Sequence, residues 1–140
     1  MHPPKQPFNM LVHHIRVKSV NVHCNNSRIH TLLHKDHKIS ILLIQEPWYR
    51  TVATLHSDTD PAGLPQLGAP INPQWEVFTP KLTPEGSCKV LAYIRKALIN
   101  TRIVHNHLDH PLATPNSMVL DIVDVTVLLR YWTAYVVRTN

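Results

Sequence analysis

Four consecutive apolar residues, Ile41-Leu42-Leu43-Ile44, run directly into Gln45, Glu46 and Pro47. A run of this length bounded by a breaker fits a strand covered on both faces. Pro47 ends it, because proline lacks the N–H that a central strand must donate. Glu46 is therefore expected at a strand end, where loops carry function. Buried strands also end in charged residues simply on reaching water, so Glu46 gains meaning only from the segment before it.

In that segment, Ile15-Arg16-Val17-Lys18-Ser19-Val20-Asn21-Val22 alternates apolar with polar and is rich in β-branched residues, which predicts a strand with Asn21 near its C-terminal end. Asn25-Asn26-Ser27 supplies a helix N-cap, and Ile29, Leu32 and Leu33 follow at helical spacing before Lys38 and the apolar run. The unit is strand, helix, strand, whose crossover makes the two strands parallel. Asn21 and Glu46 should then emerge at one edge of the sheet. An amide and a carboxylate converging there suit a magnesium site that handles phosphate, because a carboxylate is a hard oxygen ligand and an amide orients a phosphate or a second carboxylate.

Taken in series, Ser19-Val20-Asn21-Val22, the helix carrying Ser27-Arg28, and Ile41 through Trp48 resemble the start of the endonuclease/exonuclease/phosphatase superfamily. The similarity is greatest to the endonuclease domains of fungal non-LTR retrotransposons. It extends through Ser57-Asp58-Thr59-Asp60-Pro61, Pro73-Gln74-Trp75 and Val90-Leu91-Ala92-Tyr93-Ile94-Arg95-Lys96-Ala97, covering roughly residues 15 to 125. The resemblance implies Mg²⁺ or Mn²⁺ as cofactor, Glu46 as its ligand, Asn21 as the active-site asparagine, and DNA as partner. It also implies a phosphate-contacting tyrosine at Tyr135, by the spacing from Arg130, although Thr133 and Val136-Val137 depart from the family pattern. Family members continue to a Gly-Asp-Phe-Asn-like strand end and a Ser-Asp-His-like segment, whose aspartate and histidine activate water. Neither motif occurs before Asn140. The expectation is a truncated domain with little or no nuclease activity alone.

Composition is compatible with this reading without requiring it. The 140 residues are 44% hydrophobic, enough for one domain with a core. The net charge of +5 tilts toward nucleic acid, but the basic residues are dispersed and form no basic arm. Two cysteines, Cys24 and Cys88, argue against a disulfide scaffold. No segment reads as a transmembrane helix or a signal peptide, so nucleus or cytoplasm, without secretion, is the expected compartment. Residues 1–12, with Pro3, Pro4 and Pro7, read as a disordered leader to a partial domain over 13–140.

Eleven histidines raise the question of zinc. His30, His34 and His37 share a helical stripe, but Thr31 stands where a His-Glu-x-x-His motif needs glutamate, and an exposed helix face accounts for them. His105, His107 and His110 fall in a turn before Pro111 and suit adventitious metal at most.

Between Trp48 and Pro73 the breakers Pro61, Gly63, Pro65, Gly68 and Pro70 predict one extended loop, in which Asp58 and Asp60 form an Asx-type turn more readily than a second shell of ligands. Strands are expected at Trp75–Thr79, Cys88–Lys96, Asn100–Val104, Met118–Val123 and Thr126–Val137. The fold class is α/β: the N-terminal part of a DNase I-like four-layer α/β sandwich, two packed sheets with helices outside. Truncation should leave sheet edges open to self-association, with Thr126 through Trp132 as the exposed segment. Three functions follow from the resemblance: a metal-dependent DNA endonuclease, a noncatalytic nucleic-acid-binding remnant of the same fold, and a phosphatase of the superfamily.

Overall fold

The structure, a computed structural model, describes residues 15–35, 38–55, 58–59 and 62–138, with the backbone only at 51–55 and 64–66. The leader 1–12, His13, His14, His37, Ser57, Asp60, Pro61 and Asn140 lie outside the described residues.

The alternating segment and the apolar run form β1 (Val17–Asn21) and β2 (Ile41–Gln45), joined by helix α1 (Asn26–Lys35). They pair in parallel with Asn21 opposite Gln45, as a crossover requires. The cap is Asn25, whose Oδ1 accepts from the Arg28 N–H at 3.0 Å. α1 buries Ile29 and Leu33 and turns His30 and His34 outward.

After β2, the expected loop over 48–73 gives way to a ribbon of β3 (Arg50–Leu55) and β4 (Leu64–Gly68), with a register shift between Thr51 and Ala53. Pro65 is tolerated in β4 because a two-stranded ribbon consists only of edges, where a missing N–H need not break a ladder. β5 (Trp75–Phe78) then pairs antiparallel with β6 (Val90–Arg95), which pairs antiparallel with β2, giving the order β1-β2-β6-β5. The β5–β6 connection turns at Gly86, φ +81°, where an added Cβ would stand 2.8 Å from the Leu67 side chain.

The chain leaves β6 in a four-residue helix, α2 (Lys96–Ile99), and forms β7 at Val104–Asn106 rather than over Asn100–Val104. β8 (Ser117–Ile122), β9 (Val125–Arg130) and β10 (Ala134–Arg138) complete a second antiparallel sheet, ordered β10-β9-β8-β7. The single strand expected over Thr126–Val137 is thus two strands folded back at Tyr131-Trp132.

Both faces of the first sheet are covered. Ile41, Leu43, Val90, Ala92 and Ile94 pack on Met118, Leu120, Val127 and Leu129 of the second sheet. Leu42, Ile44, Leu91 and Tyr93 pack on Ile29 and Leu33 of α1 and on Trp75. The alternation in β6 is therefore the boundary between two cores. Polar tips in the second core are satisfied: Tyr93 Oη donates to the Pro70 carbonyl at 2.7 Å and Trp75 Nε1 to the Leu33 carbonyl at 2.9 Å. The Arg95 guanidinium lies 4.3 Å from the centre of the Trp75 ring.

The fold is mixed α/β with two main sheets, mostly strand. The described layers are helix, sheet and sheet; a helical layer outside the second sheet is not among them. The exposed segment also differs from expectation. Val125, Val127 and Leu129 are buried because β9 is an inner strand, whereas every residue of β10, the edge strand, is exposed.

Burial raises the Cys88 thiol from 9.0 to about 11 and raises the Tyr93 phenol as well. Both groups hold their protons more tightly when folded, so their contribution is intact below the unfolded values and is lost as pH rises through the folded ones. The melting temperature should fall once pH passes 9.0, the unfolded thiol value, and Cys88→Ala should flatten the first part of that decline. Thermal denaturation followed by circular dichroism across alkaline pH measures it; an unchanged slope in the variant would contradict the assignment.

Candidate functional site

The parallel pairing of β1 and β2 brings their C-terminal ends side by side, and Asn21 Nδ2 donates to Glu46 Oε2 at 2.5 Å. The two strand-end residues singled out from the sequence meet directly. Asn21 Oδ1 accepts from the His23 N–H at 2.9 Å, so the amide is fixed at both ends and its orientation is determined. His23 Nδ1 lies 3.5 Å from the same Glu46 oxygen.

The backbone holding these groups is strained. His23, Cys24 and Glu46 have φ of 51°, 59° and 50°, in the left-handed region that non-glycine residues avoid. Glu46 also precedes Pro47, and a residue in that position favours extended conformations. Hydrogen bonds over-determine the geometry: Glu46 N–H donates to the Lys89 carbonyl at 3.0 Å, and the Glu46 carbonyl accepts from Cys24 N–H at 2.8 Å. Strain of this kind, held in place by its surroundings, concentrates at functional sites.

A tyrosine faces Glu46, and it is Tyr131. Partial burial, then the carboxylate's charge and a hydrogen bond with it, raise this phenol above its ordinary value of 10.0. Tyr135 lies further along β10, opposite Leu128 and half exposed; no hydrogen bond or ion pair among the described residues joins it to Asn21 or Glu46. Tyr131 was hidden in the sequence because the expected strand ran straight through it. Only recognition of the turn at 131–132 places it at the sheet end.

A histidine–aspartate pair exists, but elsewhere. His107 Nε2 contacts Asp121 Oδ2, and Thr126 Oγ1 donates to Asp121 Oδ1 at 2.7 Å. The Thr126 bond, ahead of His107, draws the Asp121 carboxyl below its ordinary range. Asp121 sits four positions along β8 from Ser117, the end nearest the site, or about 13 Å away by strand rise. His105 and His110 flank His107 through edge-on ring contacts. Among the described residues, no group of three or more His, Cys, Asp or Glu is placed to hold a metal ion. Asp58 is exposed and joins no such group.

No family model, curated protein or solved structure matches this chain. Among the described residues, no helix is long and apolar enough to cross a membrane.

The strain at Glu46 gives a direct expectation. Glu46→Gly and Glu46→Ala both remove the carboxylate, but only glycine accepts a positive φ freely. Glu46→Gly should be more stable than Glu46→Ala by about 1 kcal/mol in urea denaturation. Equal stability would mean that the strain is absent.

Proposed function

We propose that the chain carries part of a metal-dependent phosphodiester-hydrolysing site of the DNase I-like kind, with nucleic acid as ligand and Glu46 as its metal-binding residue. The observation that carries this reading is the Asn21–Glu46 contact at adjacent parallel strand ends. Glu46 offers one hard oxygen donor, and Mg²⁺ commonly binds through one or two carboxylates, completing its shell with substrate phosphate and water. The donor set fits that mode and no more closed one. When bound, the ion would supply Lewis-acid stabilisation of a phosphoryl oxygen. Asn21 fixes the carboxylate through its amide N–H, and the Tyr131 phenol approaches the same group. The His23 ring lies beside the same carboxylate, with Nδ1 3.5 Å from Oε2.

A noncatalytic binding role has its own support. The histidine at Glu46, His23, lies 3.5 Å from the proposed metal-binding carboxylate itself, and the second histidine–carboxylate pair among the described residues, His107 with Asp121, is at another place on the second sheet. Water activation by a positioned base normally contributes about 10²–10⁴-fold, which this chain would forgo. The proposal for these 140 residues is therefore metal and nucleic-acid binding with weak turnover or none.

Calorimetric titration with Mn²⁺ and nicking of supercoiled plasmid test both readings. Mn²⁺ binding that weakens at least about tenfold in Glu46→Ala, with no nicking, is the expected result. Nicking that is abolished by EDTA and by Glu46→Ala would show that the chain completes a working site. Mn²⁺ binding that is the same in Glu46→Ala would remove the metal assignment.

A further inference from the structure

The β9–β10 turn breaks the chemistry usual for its length. Arg130 N–H donates to the Thr133 carbonyl at 2.7 Å and Thr133 N–H returns a bond to Arg130 at 3.1 Å, so Tyr131 and Trp132 alone span the turn. Two-residue hairpins favour Asn-Gly and similar pairs because their backbone calls for positive φ. Neither aromatic is among the positive-φ residues. Trp132 is also 81% exposed, the most exposed of the large apolar side chains among the described residues, so it adds nothing to the core. Turn formation leaves the pair unexplained, and packing accounts for Tyr131, which lies against the core between the sheets, but not for Trp132.

The tip is nevertheless held firmly. Tyr131 N–H donates to the Asn116 carbonyl at 2.8 Å, and the Arg130 carbonyl accepts from Gln45 Nε2 at 3.1 Å. The two rings meet edge-on with centroids 4.2 Å apart. Beside them is an open groove of about 380 Å³, lined by Leu112, Asn116, Arg130, Tyr131 and Trp132. Arg130 is exposed there, and among the described residues no ion pair neutralises it. The Gln45 bond to the Arg130 carbonyl sets the groove beside the strand end that carries Glu46.

We infer that this groove binds an unpaired nucleotide of a single-stranded polynucleotide, with the base stacked on Trp132 and the phosphate held by Arg130, leading the strand toward Glu46. An exposed indole beside an arginine is the pairing that single-strand binding uses, because every base has a stacking face and every nucleotide a phosphate. In a duplex those faces are already stacked on neighbouring bases. The groove volume falls at the small-ligand end of binding sites, about 300–1,000 Å³, which suits one nucleotide. The inference rests on the nucleic-acid reading of the Glu46 site and adds strand state to it.

The test is fluorescence anisotropy with a labelled oligothymidylate and a blunt duplex of equal length, in EDTA so that metal plays no part. The expected result is tighter binding of the single strand, weakened about tenfold in Trp132→Ala and largely retained in Trp132→Phe. Because Trp132 lies outside the core, its variants should keep the wild-type melting temperature, which checks their folding. Equal or tighter binding of the duplex, or oligothymidylate affinity unchanged in Trp132→Ala, would overturn the inference. Trp132-dependent binding without Glu46-dependent Mn²⁺ binding would overturn the metal reading alone. The opposite pattern would overturn the groove alone.

Discussion

Strand β2 is hydrogen-bonded to β1 on one side and β6 on the other, and its four apolar residues are buried on alternate faces in two different cores. A strand so placed has one acceptable register. A slip of one residue would send Ile41 and Leu43 into the helix-facing core and Leu42 and Ile44 into the sheet-facing one, misfitting both. It would also move Glu46 along the sheet end by one residue's rise, about 3.3 Å, enough to break its contact with Asn21. The packing that stabilises the centre of the molecule is thus the same packing that positions the carboxylate.

The strand end shows a conflict between local and global preference. Sequence neighbours push Glu46 toward an extended backbone, because Pro47 follows it, yet it adopts φ 50°. His23 and Cys24 share that conformation across the gap, and the Cys24 N–H closes on the Glu46 carbonyl. Two strained turns therefore brace each other through one backbone hydrogen bond. The Tyr131-Trp132 tip adds a third departure from local preference, tied to the same end by Gln45. Sequences fold well when local choices agree with the whole, so exceptions gathered at one edge point to a demand other than folding.

What could be read from the sequence follows from how each signal arises. The β1-α1-β2 unit was legible because hydrophobic period and an Asn cap are local, and the helical crossover then made the pairing parallel and brought Asn21 to Glu46. The faces of β6 were legible for the same reason. The β3–β4 ribbon was not, since its strands carry the breakers that usually mark loops, and an all-edge ribbon tolerates them. The β9–β10 turn was missed because Tyr131-Trp132 has strong β propensity and no turn residue. Propensity measures packing on a pleated surface, and here Trp132 has no such surroundings, while Tyr131 meets the core from a turn. The His107–Asp121 pair joins residues 14 apart through the β7–β8 register, which no local pattern encodes.

The separation of these groups bears on what the chain can do. Positioning a phosphate requires a cation or cationic side chain and a rigid cradle, and both kinds of element meet at the sheet end in Glu46 with Asn21 and in Arg130 with the aromatic tip. Activating water requires a base within hydrogen-bond reach of the reacting atoms. The His107–Asp121 pair fails that geometric condition, because Asp121 is anchored by Thr126 as well as His107, well along β8 from the site. No small adjustment of the second sheet would carry a group across that distance without breaking the β8–β9 ladder, whose six paired positions include Asp121 and Thr126 themselves. The Asn21–Glu46 pair at the sheet end and the His107–Asp121 pair on β8 are therefore separate features of this fold, each held by its own hydrogen bonds.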